Sequence, residues 1–208
     1  MRIIAGQFRG RPLAALGDEH TRPTSDRVRE SVFNILEHGI ADFSLTGVRV
    51  LDLFAGTGAL GLEALSRGAA FCLFVEADAG ARGLIRRNIE TLGLTGITKV
   101  FRRDATDLGP AGNRDGFGLA FLDPPYEQGL APRALAAAAA GGWLGAGAIA
   151  VIEDSKRASV ALPAGFTVVV ERAWGDTVAL FARFAGPTGA ARRAGNAAGG
   201  AAPPDGSG

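Results

Sequence analysis

The segment Val48-Arg49-Val50-Leu51-Asp52-Leu53-Phe54 runs without a break into Ala55-Gly56-Thr57-Gly58-Ala59-Leu60-Gly61, and few folds accept that join. A nearly continuous apolar run of this length reads as a strand covered on both faces. The glycines behind it let the backbone turn tightly and let a ligand approach with no Cβ in the way. The next apolar run, Phe71-Cys72-Leu73-Phe74-Val75-Glu76, ends on a carboxylate 20 residues beyond Gly56. An acid at that point can accept hydrogen bonds from both hydroxyls of a ribose. Strand, glycine turn, helix and acid in this order predict a parallel α/β sheet with a nucleotide-like ligand across its carboxyl edge.

The rest of the chain extends the alternation. Apolar runs at 97–102, 117–123, 148–153, 166–171 and 177–184 read as further strands, and 59–67, 78–92 and 130–141 have helical patterns. Only Arg172-Ala173-Trp174-Gly175-Asp176 separates the last two runs, so they are expected to form an antiparallel hairpin at one edge of a seven-stranded, mostly parallel sheet. Ahead of the sheet, Thr24 can cap a helix from Ser25 to about Glu37, with Asp26 well placed in its first turn. Val28, Val32, Ile35 and Leu36 fall on one face of it. The expected organisation is a short N-terminal β/α extension over 1–40, the sheet domain over 41–185, and a tail over 186–208. That tail holds 7 Gly, 7 Ala and 3 Pro among its residues, too little apolar area to offset ordering, and is expected to be disordered.

Composition narrows the setting. The chain has 208 residues and one cysteine, Cys72, which sits inside an apolar run and fits a reducing compartment. No apolar run approaches the roughly 20 residues of a membrane span, and the N-terminus lacks a signal-peptide core. His20 and His38 are too few and too scattered for a metal site. A cytoplasmic monomer without metal is expected. Lys and Arg number 22 against 21 acids, so a polyanionic partner must be met by local patches rather than by the overall field. Residues 1–17 carry Arg2, Arg9 and Arg11 with no acid. Residues 82–103 carry Arg82, Arg86, Arg87, Lys99, Arg102 and Arg103 against Glu90.

The spacing of Gly56, Gly58 and Gly61 also satisfies the G-x-G-x-x-G of dinucleotide-binding folds. Two details favour S-adenosylmethionine over a pyrophosphate. Asp52 lies on the approach to the loop, where it would repel an anion and welcome a sulfonium with an ammonium group. The run at 117–123 then ends in Asp123-Pro124-Pro125-Tyr126, where two prolines fix the backbone at a strand's carboxyl end beside the cofactor crevice. They aim one carboxylate and one carbonyl at a common point, with an aromatic ring alongside.

Asp52-Leu53-Phe54-Ala55-Gly56-Thr57-Gly58 together with Asp123-Pro124-Pro125-Tyr126 resembles the amino-methyltransferases that use S-adenosylmethionine. The stretches at 2–13 and 21–36 narrow the resemblance to the RsmD family, bacterial enzymes that methylate guanine N2 in 16S, small-subunit ribosomal RNA. The likeness runs from Arg2 to about Phe184. It implies a Rossmann-like class I methyltransferase fold, with ribosomal RNA, within ribosomal particles, as partner. Cofactor contacts are implied at Asp52, Phe54, Gly56, Gly58, Glu76, Asp104, Ala105 and Thr24. Asp123, Pro124, Pro125 and Tyr126 are implied to hold the base: Asp123 and the Pro124 carbonyl accept from N2–H, and Tyr126 stacks. Arg9, Arg11 and Arg22 of the front segment are the expected RNA contacts, since the crevice alone is too small to choose one guanine among thousands. An adenine-N6 methyltransferase, a nicotinamide-dependent oxidoreductase and a non-catalytic RNA-binding assembly factor are the competing readings.

Overall fold

A computed structural model describes residues 1–15, 26–112, 115–125, 128–156 and 160–186. Among these residues seven strands form one sheet: β1 (Arg49–Leu53), β2 (Phe71–Val75), β3 (Thr98–Phe101), β4 (Phe117–Leu122), β5 (Leu144–Ser155), β6 (Phe166–Trp174) and β7 (Thr177–Phe184). Their order is β3-β2-β1-β4-β5-β7-β6. Pairings among the first five are parallel, and β7 runs antiparallel to both β5 and β6. The helices are α1 (Asp26–His38), α2 (Ala59–Ser66), α3 (Ala79–Leu92) and α4 (Leu130–Ala140). This is the expected α/β architecture with its C-terminal hairpin. The Thr24 cap expected for α1 lies outside the described residues.

The hairpin docks through its second strand. β7 inserts between β5 and β6 because its side chains, Val178 to Ala182, are buried on both faces, whereas no residue of β6 is fully buried and Val168 is 44% exposed at the edge. Placing β6 inside instead would have buried Glu171 and Arg172. β5 also begins earlier than the apolar run 148–153 foretold. Leu144 pairs with Phe117 ahead of a bulge, through a Gly-Ala-Gly stretch that carries no apolar signature.

Two cores cover the two faces of the sheet. One gathers α1, α2 and α3 over Phe74, Phe121 and Phe181, with the Phe33 and Phe121 rings 5.6 Å apart. The other sets α4 against Leu51, Leu53, Leu122 and Trp143. The N-terminal residues join the first core through Ile3 and Leu13 and form a small antiparallel arm. Its backbone is closed by Ile3 N–H on the Arg11 carbonyl at 2.9 Å and by Gly10 N–H on the Ile3 carbonyl at 2.8 Å. Among the described residues no helix is long and apolar enough to cross a membrane, and no group of three or more His, Cys, Asp or Glu could hold a metal ion.

Candidate active site

At the carboxyl end of β1 the chain turns through Phe54 at φ 59°, Gly56 at φ 55° and Gly58 at φ 79°, which caps α2. Positive φ costs glycine nothing but strains an aromatic residue by about 1–3 kcal/mol, and such strain gathers at ligand loops. Each glycine answers a different demand. A Cβ at Gly61 would lie 2.5 Å from Cys72 Sγ and from the Phe74 ring, so this residue lets α2 pack on β2. A Cβ at Gly56 would meet nothing nearer than the Phe54 carbonyl at 4.0 Å. The space above Gly56 is open, as a site for a closely approaching ligand requires.

Glu76 stands where the sequence spacing put it. Its Oε2 accepts the Gly56 N–H at 2.8 Å, and its Oε1 accepts the Asp78 N–H at 2.8 Å. The acid and the glycine loop are thus one structural unit, with the half-buried carboxylate at the rim of the open space. Asp78 in turn caps α3 by accepting from Ala81 N–H at 2.7 Å.

Asp52 departs from its expected place. It is 2% exposed and lies beneath the loop, where Oδ2 accepts the Gly61 N–H at 3.0 Å and ties α2 to β1. Burial pushes its carboxyl well above the ordinary range, with Asp123 and Glu76 adding to the effect. It braces the loop from below, through the Gly61 N–H. Asp104, beyond β3, is exposed and accepts from the Thr106 N–H and hydroxyl, both at 2.8 Å, which hold its carboxyl below the usual range. Ala105 beside it is buried.

Asp123 follows β4 directly. The registers Leu53↔Leu122 and Leu122↔Ile152 set it between the ends of β1 and β5. Burial, and then the nearby Asp154 of β5, push its carboxyl up to about 6. Pro124 is buried and Pro125 exposed. Tyr126, the last residue of the motif, lies outside the described residues, as do Arg22 and Thr24. The glycine loop, Glu76 and Asp123 therefore meet at one edge of the sheet, along neighbouring strands.

A family model described as conserved hypothetical protein 95 matches residues 1–183. The chain belongs to that family, the RsmD family. It is 36% identical over 177 residues to ribosomal RNA small subunit methyltransferase D of Haemophilus influenzae, covering 84% of this chain and 89% of that protein. It is 38% identical over 154 residues to the protein of the same name from Escherichia coli K12, covering 74% of each. The solved structure of the Escherichia coli protein yhhF superposes with a TM-score of 0.75 at 32% identity, covering 88% of this chain and 97% of that one.

In this RsmD-family chain the arm is fastened by residues that sequence patterning passed over. Glu63 of α2 is fully buried; it accepts Ile4 N–H at 2.8 Å, Ala5 N–H at 3.0 Å and Arg67 Nε at 2.8 Å. Asn88 of α3, 1% exposed, holds Ala14 and the Thr57 carbonyl. A polar residue on an otherwise apolar helix face was the available signal in both cases. Two of the three arm cations also lose their apparent freedom from acids. Arg2 pairs with Asp26 at 3.1 Å, and Arg9 shares a cavity of about 240 Å³ with Asp26 and Glu30. Arg9 and Arg11 remain exposed. In the second basic stretch, Arg82 is buried and donates to the Glu76 and Ala77 carbonyls, so it is structural.

Proposed function

We propose that this chain transfers a methyl group from S-adenosylmethionine to the exocyclic N2 of a guanine in small-subunit ribosomal RNA, in the cytoplasm. The observation that carries the reading is the placement of Asp123 and Pro124 at the edge that also holds the open Gly56 turn and Glu76. Membership of the RsmD family supports the substrate class.

S-adenosylmethionine, when bound, supplies an electrophilic methyl on a sulfonium. Glu76 binds the ribose hydroxyls, and the open turn at Gly56 admits the cofactor close to the backbone. Asp104 and the buried Ala105 line its adenine end, and Phe54 fixes the turn. Guanine N2 is a weak nucleophile because its lone pair is delocalised into the ring. Asp123 and the Pro124 carbonyl each accept one N2–H, which favours a pyramidal nitrogen with its lone pair turned to the methyl. With the cofactor bound, N–C bond formation would be matched by C–S cleavage to S-adenosylhomocysteine, and Asp123 or water would take the surplus proton from the nitrogen. The site works chiefly by positioning. Pro125 stiffens the turn, and the resemblance to the RsmD family implies the stacking role for Tyr126.

Labelled cofactor, unmethylated small-subunit particles and nucleoside analysis of the product test the reading. Label in N2-methylguanosine is expected. Label in N6-methyladenosine instead would assign the site to adenine, which the Asp-Pro-Pro-Tyr motif also accommodates.

A further inference from the structure

The sheet face that packs on α4 carries a feature the reaction does not use. A cavity of about 70 Å³ opens there among Arg49, Phe71, Lys99, Phe101, Phe117 and Trp143. It lies toward the amino ends of β1 and β2, about 13 Å along the strand from the cofactor edge. The Arg49 guanidinium sits 5.0 Å from the centre of the Phe71 ring and 5.1 Å from that of Phe117. Its Nε is buried with no acceptor among the described residues. Arg103 lies over Phe101 at 5.5 Å, and Lys99, two residues before Phe101 on the same face of β3, is exposed. No acid lines the cavity, and none of the three cations carries an ion pair among the described residues.

A guanidinium held against aromatic rings surrenders little further freedom when an anion arrives. Arg49 and Lys99 line the cavity with no acid beside them, and Arg103 reaches its wall over Phe101, so the charge there favours an anion over a cation. The cavity has room for a single tetrahedral anion. Cations spread along the strand direction suit a polymer of such anions. We propose that this cavity seats a phosphate of the RNA backbone, held by Arg49, Lys99 and Arg103, outside the catalytic crevice. The inference rests on the reading of the chain as an RNA-modifying enzyme. The arm packs on the opposite face of the sheet, so the seat grips a second segment of a folded RNA.

The test is binding of unmethylated small-subunit particles across a range of KCl concentrations. Lys99→Ala with Arg103→Ala changes exposed side chains only and keeps the fold. It is expected to weaken binding about tenfold at low salt and to make the salt slope shallower by about one for each phosphate no longer neutralised. Arg49→Gln is expected to act in the same direction. Melting temperature and S-adenosylhomocysteine affinity of the double variant should match the wild type. The control, Arg86→Gln with Arg87→Gln on exposed positions of α3, removes the same charge elsewhere and is expected to cost much less. Equal losses in control and test variant, or no loss in the test variant, overturn the seat. A wild-type chain that does not bind the particles overturns the reading of the enzyme itself, and the seat with it.

Discussion

Asn88, in the middle of α3, donates from Nδ2 to the Thr57 carbonyl of the glycine loop at 3.0 Å. The same amide donates to the Ala14 carbonyl at 3.1 Å and accepts the Ala14 N–H at 2.7 Å. One buried side chain thus joins the arm to the cofactor turn. Asn88→Ala leaves three backbone groups short of partners and is expected to cost about 2–4 kcal/mol of stability. It should also weaken S-adenosylhomocysteine binding several-fold and speed amide exchange at Ala14. Unchanged cofactor affinity, measured by titration calorimetry, would show that the loop holds its shape without Asn88.

Glu76 and Asp123 separate binding from transfer. Glu76→Ala is expected to weaken cofactor binding by roughly 10–150-fold, the loss of a charged hydrogen bond worth about 1.5–3 kcal/mol. Because Glu76 also holds Gly56 N–H, some of that loss comes through the loop. Asp123→Ala should abolish methyl transfer while leaving cofactor affinity within a few-fold. Normal transfer by Asp123→Ala would sink the role given to the Asp-Pro-Pro-Tyr motif.

The raised carboxyl of Asp123, at about 6, makes a signed prediction. The ordinary value is about 3.9, so the folded state holds a proton that the unfolded chain releases. That proton's contribution to stability is full below about pH 4 and is lost as pH rises through about 6. Asp123→Asn removes the charge that burial and Asp154 disfavour. It should therefore stabilise the chain by about 2–3 kcal/mol at pH 7.5 and by little at pH 4. Melting curves at the two pH values decide, and an equal effect at both would contradict the assignment.

Glu63 ties two backbone N–H groups of the arm and Arg67 from a fully buried position. Glu63→Gln keeps the shape and an acceptor oxygen for Ala5 N–H and Arg67 Nε, but it sets its NH₂ against the Ile4 N–H and removes the negative charge that the buried Arg67 faces, leaving Glu37 at 2.8 Å as that guanidinium's ion pair. A loss of about 3–5 kcal/mol is expected, read from urea unfolding, with protease cutting first within residues 1–15. A loss under 1 kcal/mol would mean that the apolar packing of Ile3 and Leu13 holds the arm by itself.

Arg9 and Arg11 are exposed cations of the arm that carry no ion pair among the described residues, beside Gly10 at φ 81°. Changing both to Ala should weaken binding to the RNA substrate and flatten its salt dependence by about one unit for each phosphate left unneutralised, with cofactor affinity unaltered. Wild-type RNA affinity and slope in this variant would remove the arm from the RNA-binding surface.

The sequence by itself determined most of the elements and which residues gather at the carboxyl edge. Apolar runs fixed the strands, because period and length are local properties, and the join of strand to Gly56, Gly58 and Gly61 located the turn. The distance to Glu76 put its carboxylate at the edge of the glycine turn, since one βαβ unit leaves little choice of geometry, while its bond to the Gly56 N–H came from the fold. What lies between elements distant in the chain was decided only by tertiary structure. Asp52 looked like a counter-charge until the fold buried it under Gly61. Arg2 looked unpaired until α1 brought Asp26 to it. β7, not β6, took the place beside β5, since which strand of a hairpin docks depends on which one can lose water from both faces. Burial and long-range partners set the charge and freedom of a side chain, and neither is written in its immediate neighbours.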